Sequence, residues 1–352
     1  MQAVFNHLFI QYNGVYRVIT VSTFVALYLL YDMLGHSGPS YAIPRKQSIN
    51  TSCHYTNFED ALEAADAKFS LPLWSIFFIE SSCHGGLNSR QACSIESAAR
   101  AHPLWQITVF FLSPVSEHTL NHSCLRTLKQ FRNVKFVRIK IKEFTEDTPL
   151  ESMISEKHLQ NSSFPVENYS NALRYLILYK WGGIYLDTDM LVIKSLSPLG
   201  ANWVGTEDRR HINAAALGIS SDTIGTQFAA DLLGEFTREY KARVSGANGP
   251  KLITRVLEKN WCYPYQFKEW STMTCRGISV YSPRLFYPVH YRKGRELFES
   301  SNLDILNNVT YAVHTWNRLT KNYTISNNSP YERLAKRYCP SIYNFYGNKF
   351  GE

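Results

Sequence analysis

Two aspartates one residue apart, Asp187 and Asp189, follow directly on the apolar stretch 184–186. In an extended chain residues i and i+2 share a face, so the two carboxylates are expected to converge with Thr188 turned away. Close carboxylates repel, and burying them uncompensated is costly, so a cation between them is the natural resolution. Oxygen donors of this kind suit Mg²⁺ or Mn²⁺. An Asp-x-Asp pair alone is also common in solvated turns. This one ends an apolar strand behind a helix and a Gly-Gly turn, and ligand sites in α/β proteins form outside the carboxyl ends of parallel strands.

The elements that must position the pair are legible around it. Ser170 reads as an N-cap, and Ala172, Leu173, Leu176 and Ile177 recur at helical spacing as one buried face. Asn171 and Arg174 fall on another face, where both can point into a site. Gly182 and Gly183 supply the positive φ that ends such a helix. Residues 74–79 (WSIFFI) and 107–112 (ITVFFL) are continuous apolar runs of the kind buried in a parallel sheet. Residues 94–100 read as a helix, and 133–141 alternate as a half-buried strand. Strands alternating with helices imply an α/β fold with right-handed crossovers. Further on, Asn248, Gly249 and Pro250 precede a helix marked by Leu252, Ile253, Val256 and Leu257. Free N–H groups there can hold a phosphate or an acceptor hydroxyl near Gly249, or the segment is an ordinary helix start.

Composition and the N-terminus bound the setting. With 352 residues, 45% hydrophobic and 14% aromatic, the chain is a folded protein rather than a disordered one. The net charge of +8 is scattered, with no basic block and no nucleic-acid motif, which argues against nucleic acid as a partner. Residues 18–34 are apolar except for Asp32 and read as a short transmembrane signal anchor, with a cleaved signal peptide as the other reading. The expected organisation is a cytoplasmic tail at 1–17, the anchor at 18–34, a stem at 35–57 and a single lumenal catalytic domain at 58–352. Sequons begin at Asn50, Asn121, Asn161, Asn168, Asn308, Asn322 and Asn327, and they can be used only on the secretory side. An oxidising lumen also permits disulfides. Cys262 with Cys275 is the expected local pair and Cys83 with Cys93 the next, and seven cysteines leave one thiol free.

The run RYLILYKWGGIYLDTDM resembles the Asp-x-Asp signature of retaining, sugar-nucleotide-dependent glycosyltransferases of GT-A fold. CSIESAARAHP from Cys93, GANGPKLITRVLEKNWC from Gly246 and YAVHTWN from Tyr311 narrow the likeness to the α-1,4-glycosyltransferase family, whose members include 4-α-galactosyltransferases and α-1,4-N-acetylglucosaminyltransferases of the Golgi. That resemblance covers residues 74–340. It implies a GT-A-like α/β catalytic domain with a mixed, mainly parallel sheet, and a single-pass type II protein of the Golgi membrane. It further implies Mn²⁺ as cofactor and UDP-galactose or UDP-N-acetylgalactosamine as donor. A glycolipid acceptor is implied, with galactose or N-acetylgalactosamine at its terminus, and a homo-oligomer is compatible with the family. N-acetylglucosaminyl or mannosyl transfer to glycoprotein glycans is the alternative, and a tethered glycan-binding pseudoenzyme the non-enzymatic one.

By resemblance, His314 joins Asp187 and Asp189 as a metal ligand; otherwise it reads as a core histidine beside Trp316. Asn171, Arg174, Gly183, Tyr185 and Gly249 become candidates for binding the donor, and Asn171 stands where relatives often have Asp. Asn213 becomes the candidate catalytic residue beside the reacting sugar, where an amide would stabilise a cationic ring without forming a bond. Glu207 and Asp208 are nearby carboxylates that can equally belong to a solvated loop.

Overall fold

The computed structural model describes residues 51–56, 59–262, 272–301, 304 and 308–351. Its strands are β1 (Ser75–Glu80), β2 (Gln106–Phe111), β3 (Val134–Arg138), β4 (Gly183–Leu186), β5 (Met190–Val192), β6 (Trp203–Thr206), β7 (Ile212–Ile219), β8 (Met273–Cys275), β9 (Ile278–Tyr281) and β10 (Ala312–His314). Eight of them form one sheet in the order β3-β2-β1-β4-β7-β6-β9-β8, and β10 pairs with β5 in a separate ribbon. In the eight-stranded sheet β3, β2, β1 and β4 are mutually parallel; β7 reverses, β6 and β9 run with the first group, and β8 reverses again. The mixed, mainly parallel α/β sheet expected from the sequence is therefore the one observed.

β1 is buried at all six positions. Ile76 and Phe78 enter the core on one face of the sheet, Phe77 and Ile79 the core on the other. Because both faces are covered, the strand reads as a continuous apolar run. The longer helices are α1 (Ser89–Ala101), α2 (Pro165–Trp181), α3 (Thr223–Arg238), α4 (Pro250–Val256), α5 (Pro330–Tyr338) and α6 (Pro340–Tyr346); α2 packs on β1, α3 and α4 on β7, and α5 and α6 on α1. α1 starts earlier than its sequence pattern suggests, because Asn88 and Gln91 close a capping box ahead of Ser89. α2 likewise starts at Pro165 and not at Ser170: a proline lacks the N–H that a first turn leaves unpaired. Ser170 is instead an interior residue of α2, and its side chain serves the site described below.

From β1 the order runs outward through β2 to β3 on one side, while β4 lies on the other. The crevice outside the carboxyl ends of β1 and β4 is thus the point where strand order reverses, the general place for a ligand in such a sheet. Glu80 ends β1, and Asp187 follows β4.

The folded domain begins earlier than residue 58. Thr51 and His54 are buried, and Cys53 is bonded to Cys83. Cys262 pairs with Cys275 as expected, but Cys93 pairs with Cys339 rather than with Cys83. That bond ties α1 to the junction of α5 and α6, contacts 246 residues apart that sequence spacing does not reveal. Cys124 is the free thiol, and it is buried. Asn121, Asn161, Asn308, Asn322 and Asn327 are exposed. Asn168 is not available for a glycan: it is buried, with its amide bonded to Tyr240 and Asn248. The anchor segment 18–34 lies outside the described residues, and no helix among those described is long and apolar enough to cross a membrane.

His54 fastens the start of the domain, its Nε2 2.9 Å from the carbonyl of Ser81. Burial lowers its pKa to about 4, against an opposing pull from that carbonyl. Between pH 6.5 and 4 the unfolded chain therefore takes up a proton that the folded one refuses. Stability is full above pH 6.5 and falls as the solution is acidified, by about 3 kcal/mol at most from this group. His54→Gln, which keeps a donor for Ser81, is expected to flatten that part of the curve of unfolding free energy against pH; a profile identical to that of the unmodified protein would refute the assignment.

Candidate active site

Asp187 and Asp189 converge, though not by strand alternation. β4 stops at Leu186, and the chain turns so that the Met190 N–H donates to the Asp187 carbonyl at 2.9 Å. A β-turn of this kind brings its own residues together without an extended backbone. Thr188 leaves the pair as expected, its hydroxyl accepting from Gln91 at 3.4 Å. After the turn, β5 pairs with β10 in a register that sets His314 opposite Met190. This places the imidazole Nε2 3.1 Å from Asp189 Oδ1. The other carboxylate oxygen of Asp189 accepts from the Asn317 N–H at 2.7 Å, and the Asp189 carbonyl accepts from the Thr315 N–H at 3.0 Å. Trp316 between them has φ +55°, a left-handed conformation rare for so bulky a residue, and that bend aims the Asn317 N–H at Asp189.

Asp187 is held differently. Arg174 Nη2 lies 3.1 Å from Asp187 Oδ1, and the Tyr185 hydroxyl donates to the same oxygen. The guanidinium stacks 4.2 Å above the Tyr185 ring, and other donors of it go to the Ala214 carbonyl and to the carbonyl and hydroxyl of Ser170. Arg174 and Tyr185 are buried. Most of the guanidinium's five N–H donors are thus bonded within the protein, and Arg174 orients Asp187. Tyr185 has the same supporting role.

Asp187, Asp189 and His314 present ligand atoms within 4.8 Å of one another. Burial alone would raise the Asp189 carboxyl, but His314 and the Asn317 N–H outweigh it and hold the group below its usual range. Burial alone would lower His314, and Asp189 outweighs it, with Asp187 and Glu207 adding to the rise. The His314 Nδ1 atom is buried without a hydrogen-bond partner among the described residues. Two carboxylates and one imidazole with an unused nitrogen form a donor set suited to a divalent ion such as Mn²⁺. The residues present fit the expected metal.

The family described as "Glycosyltransferase sugar-binding region containing DXD motif" matches residues 88–207, and "Alpha 1,4-glycosyltransferase conserved region" matches residues 221–346. Lactosylceramide 4-alpha-galactosyltransferase of Rattus norvegicus is 34% identical over 276 residues, which are 76% of this chain and 75% of that protein. The chain belongs to the α-1,4-glycosyltransferase family. Alpha-1,4-N-acetylglucosaminyltransferase of Homo sapiens is 29% identical over 276 residues, 76% of this chain and 79% of its own. Among solved structures, galactosyltransferase LgtC in complex with donor and acceptor sugar analogs is matched over 77% of this chain and 95% of that one, at 15% identity and a TM-score of 0.40.

Within this α-1,4-glycosyltransferase the other expected site residues divide sharply. Asn213, on β7 opposite Gly205 of β6, has its amide oxygen accepting from the Ala215 N–H at 2.8 Å and its nitrogen donating to Glu207. The amide therefore aims that carboxylate with one of its two N–H donors. Glu207 is thus part of the site and not a solvated loop residue; burial raises its carboxyl, against the pull of the Asn213 amide. Asn171 and Gly249 do come together, so closely that a Cβ on Gly249 would lie 2.9 Å from Asn171 Oδ1. The anion cradle expected at Gly249 does not form, because the first N–H groups of α4 already bond to the Gly246 and Gly249 carbonyls. Gly183 stands at the amino end of β4, with φ +109°, where a Cβ would lie 3.2 Å from the Ser75 carbonyl. It packs closely against β1 at the end of β4 remote from Asp187.

Sequence reasoning missed Glu80 and Tyr287. Glu80, at the carboxyl end of β1, accepts from the Ser82 N–H at 3.1 Å through one oxygen and leaves the other buried without a partner among the described residues. Its carboxyl is raised by burial, partly offset by Ser82. A carboxylate closing an otherwise apolar strand is the signal that could have found it. Tyr287 lies within the apolar stretch 285–289, which carries no such signal.

Asp187→Ala and Asp189→Ala are each expected to lower transferase activity by at least about a thousandfold, consistent with the loss of a charge-stabilising centre. Mn²⁺ binding followed by calorimetry should disappear while the far-ultraviolet circular dichroism stays unchanged. Full activity in the double variant would exclude these residues as the metal site.

Proposed function

We propose that this enzyme is a Mn²⁺-dependent, retaining α-1,4-glycosyltransferase that moves galactose or N-acetylgalactosamine from a UDP-sugar to a terminal galactose or N-acetylgalactosamine residue of a glycosphingolipid. The observation that carries the reading is the triad Asp187, Asp189 and His314 at the strand-order switch point of a family member. The name of the rat relative supports the lipid acceptor and the galactosyl donor. The name of the human N-acetylglucosaminyltransferase keeps N-acetylglucosamine as the second donor reading. Three disulfides and five exposed sequons support a lumenal setting, and with the apolar segment 18–34 they support a single-pass type II protein of the Golgi membrane. The strand order and the family support a GT-A-like description of the domain.

The chain's own groups assign the parts of the reaction. Asp187, Asp189 and His314 would hold the ion, which when bound neutralises charge on the departing diphosphate. Arg174 and Tyr185 keep Asp187 oriented, so the ligand set is ready before the donor arrives. Glu80, beside the crevice, offers an acceptor to hydroxyls of the nucleoside. Glu207, aimed by Asn213, is the carboxylate beside the reacting sugar: it accepts from the acceptor hydroxyl and stabilises positive charge on the ring as the bond to phosphate breaks.

The full-length protein in detergent, supplied with Mn²⁺ and a panel of UDP-sugars and glycans, should transfer one sugar to a neutral glycosphingolipid, with an α-1,4 bond by linkage analysis and loss of activity in EDTA. Transfer confined to glycoprotein glycans would overturn the lipid acceptor, and absence of any sugar transfer would overturn the enzyme reading. Glu207→Gln should reduce kcat about a hundredfold or more, with Mn²⁺ affinity preserved.

A further inference from the structure

Tyr287 is only 2% exposed, and its hydroxyl has no hydrogen-bond partner among the described residues. An orphaned polar group of this kind is costly to bury. The ring cannot readily swing away to relieve it. It meets His314 edge-on at 5.6 Å and Trp316 at 5.7 Å, and it covers Gly205 so closely that a Cβ there would lie 3.1 Å from its Cε2. Gly205 is paired with Asn213, so the phenol stands between the metal triad and the Glu207–Asn213 pair. The charges that act on it are Glu207, Asp187, Asp189 and Arg174. A phenol is protonated at neutral pH and is therefore a donor.

A neutral donor with no acceptor of its own, set among carboxylates, answers a ligand that brings acceptors and no protons. A sugar hydroxyl can donate to Glu207 and needs no such partner. A phosphate oxygen can only accept, and it would otherwise face a wall of like charge. We propose that the Tyr287 hydroxyl donates to a phosphoryl oxygen of the donor's diphosphate and so helps to stabilise the leaving group as the sugar–oxygen bond breaks. The proposal rests on the UDP-sugar reading given above and adds a residue to it.

Tyr287→Phe removes the hydroxyl and keeps the ring. In the full-length protein with saturating Mn²⁺, the affinity of UDP should fall several-fold while that of uridine, which lacks phosphate, stays the same. kcat should fall about 100- to 1,000-fold, the range expected for loss of one donor to a developing oxyanion. Mn²⁺ affinity without nucleotide should be unchanged. UDP and uridine are titrated on the same sample, so any loss of folded protein lowers both apparent site numbers alike and leaves the two affinities readable. Unchanged UDP affinity and kcat in the variant, with normal binding in the unmodified protein, overturn the role of Tyr287 alone. Equal weakening of UDP and uridine overturns it too, as the mark of a purely structural residue. Failure of the unmodified protein to bind UDP with Mn²⁺ overturns the UDP-sugar reading, and this inference with it.

Discussion

Repulsion among carboxylates gathered in one crevice is the constraint around which this domain is organised. Asp187, Asp189 and Glu207 act together on the same buried groups, and each needs a partner that lowers the cost of its charge. Asp187 has Arg174 and the Tyr185 hydroxyl, Asp189 has His314 and the Asn317 N–H, and Glu207 has the Asn213 amide. Remove the expected ion and the site is still compensated; add it and the ligand set is already in place. A site built this way is preorganised, which is where electrostatic catalysis gains most.

The compensating groups come from distant parts of the chain, and the fold is what delivers them. Arg174 reaches Asp187 because α2 lies against the sheet with Ser170 and Ala214 fixing its guanidinium. His314 reaches Asp189 across 125 residues because β10 pairs with β5 immediately after the turn. The last step requires Trp316 to adopt a left-handed backbone, a strain of about 1–3 kcal/mol that the packed aromatic cluster of Tyr287, Tyr291 and His314 around it sustains. The Cys93–Cys339 bond fixes the C-terminal helices to α1, beside the site's other wall.

Much of this was legible in the residues themselves, and the failures are informative. The Asp pair, the helix before it, the buried strands and the Cys262–Cys275 bond follow from local patterns: periodicity, spacing and short chain separation. The mechanism assigned to the pair was wrong in detail, because a tight turn and an extended strand can bring i and i+2 together equally well. Ser170 looked like a cap because serine favours caps, yet Pro165 five residues earlier competes for the same start with no N–H to satisfy. Gly249 looked like an anion cradle, but its neighbours' N–H groups were already spent on the backbone of the preceding turn.

What the sequence alone determined was which chemistry the protein carries: an Asp-x-Asp after an apolar strand, and motifs of the α-1,4-glycosyltransferase family in order along the chain. Only the tertiary structure decided what each group does. Arg174 and Asn213 carry donors that could serve a ligand or a neighbour, and it is the proximity of Asp187 and Glu207 that draws one donor of each to the neighbour. Tyr287 became visible for the opposite reason, as a buried donor that no neighbour among the described residues uses. Hydrogen-bond satisfaction is a property of contacts between residues far apart in the chain, and a pattern read along one strand or helix contains no record of it.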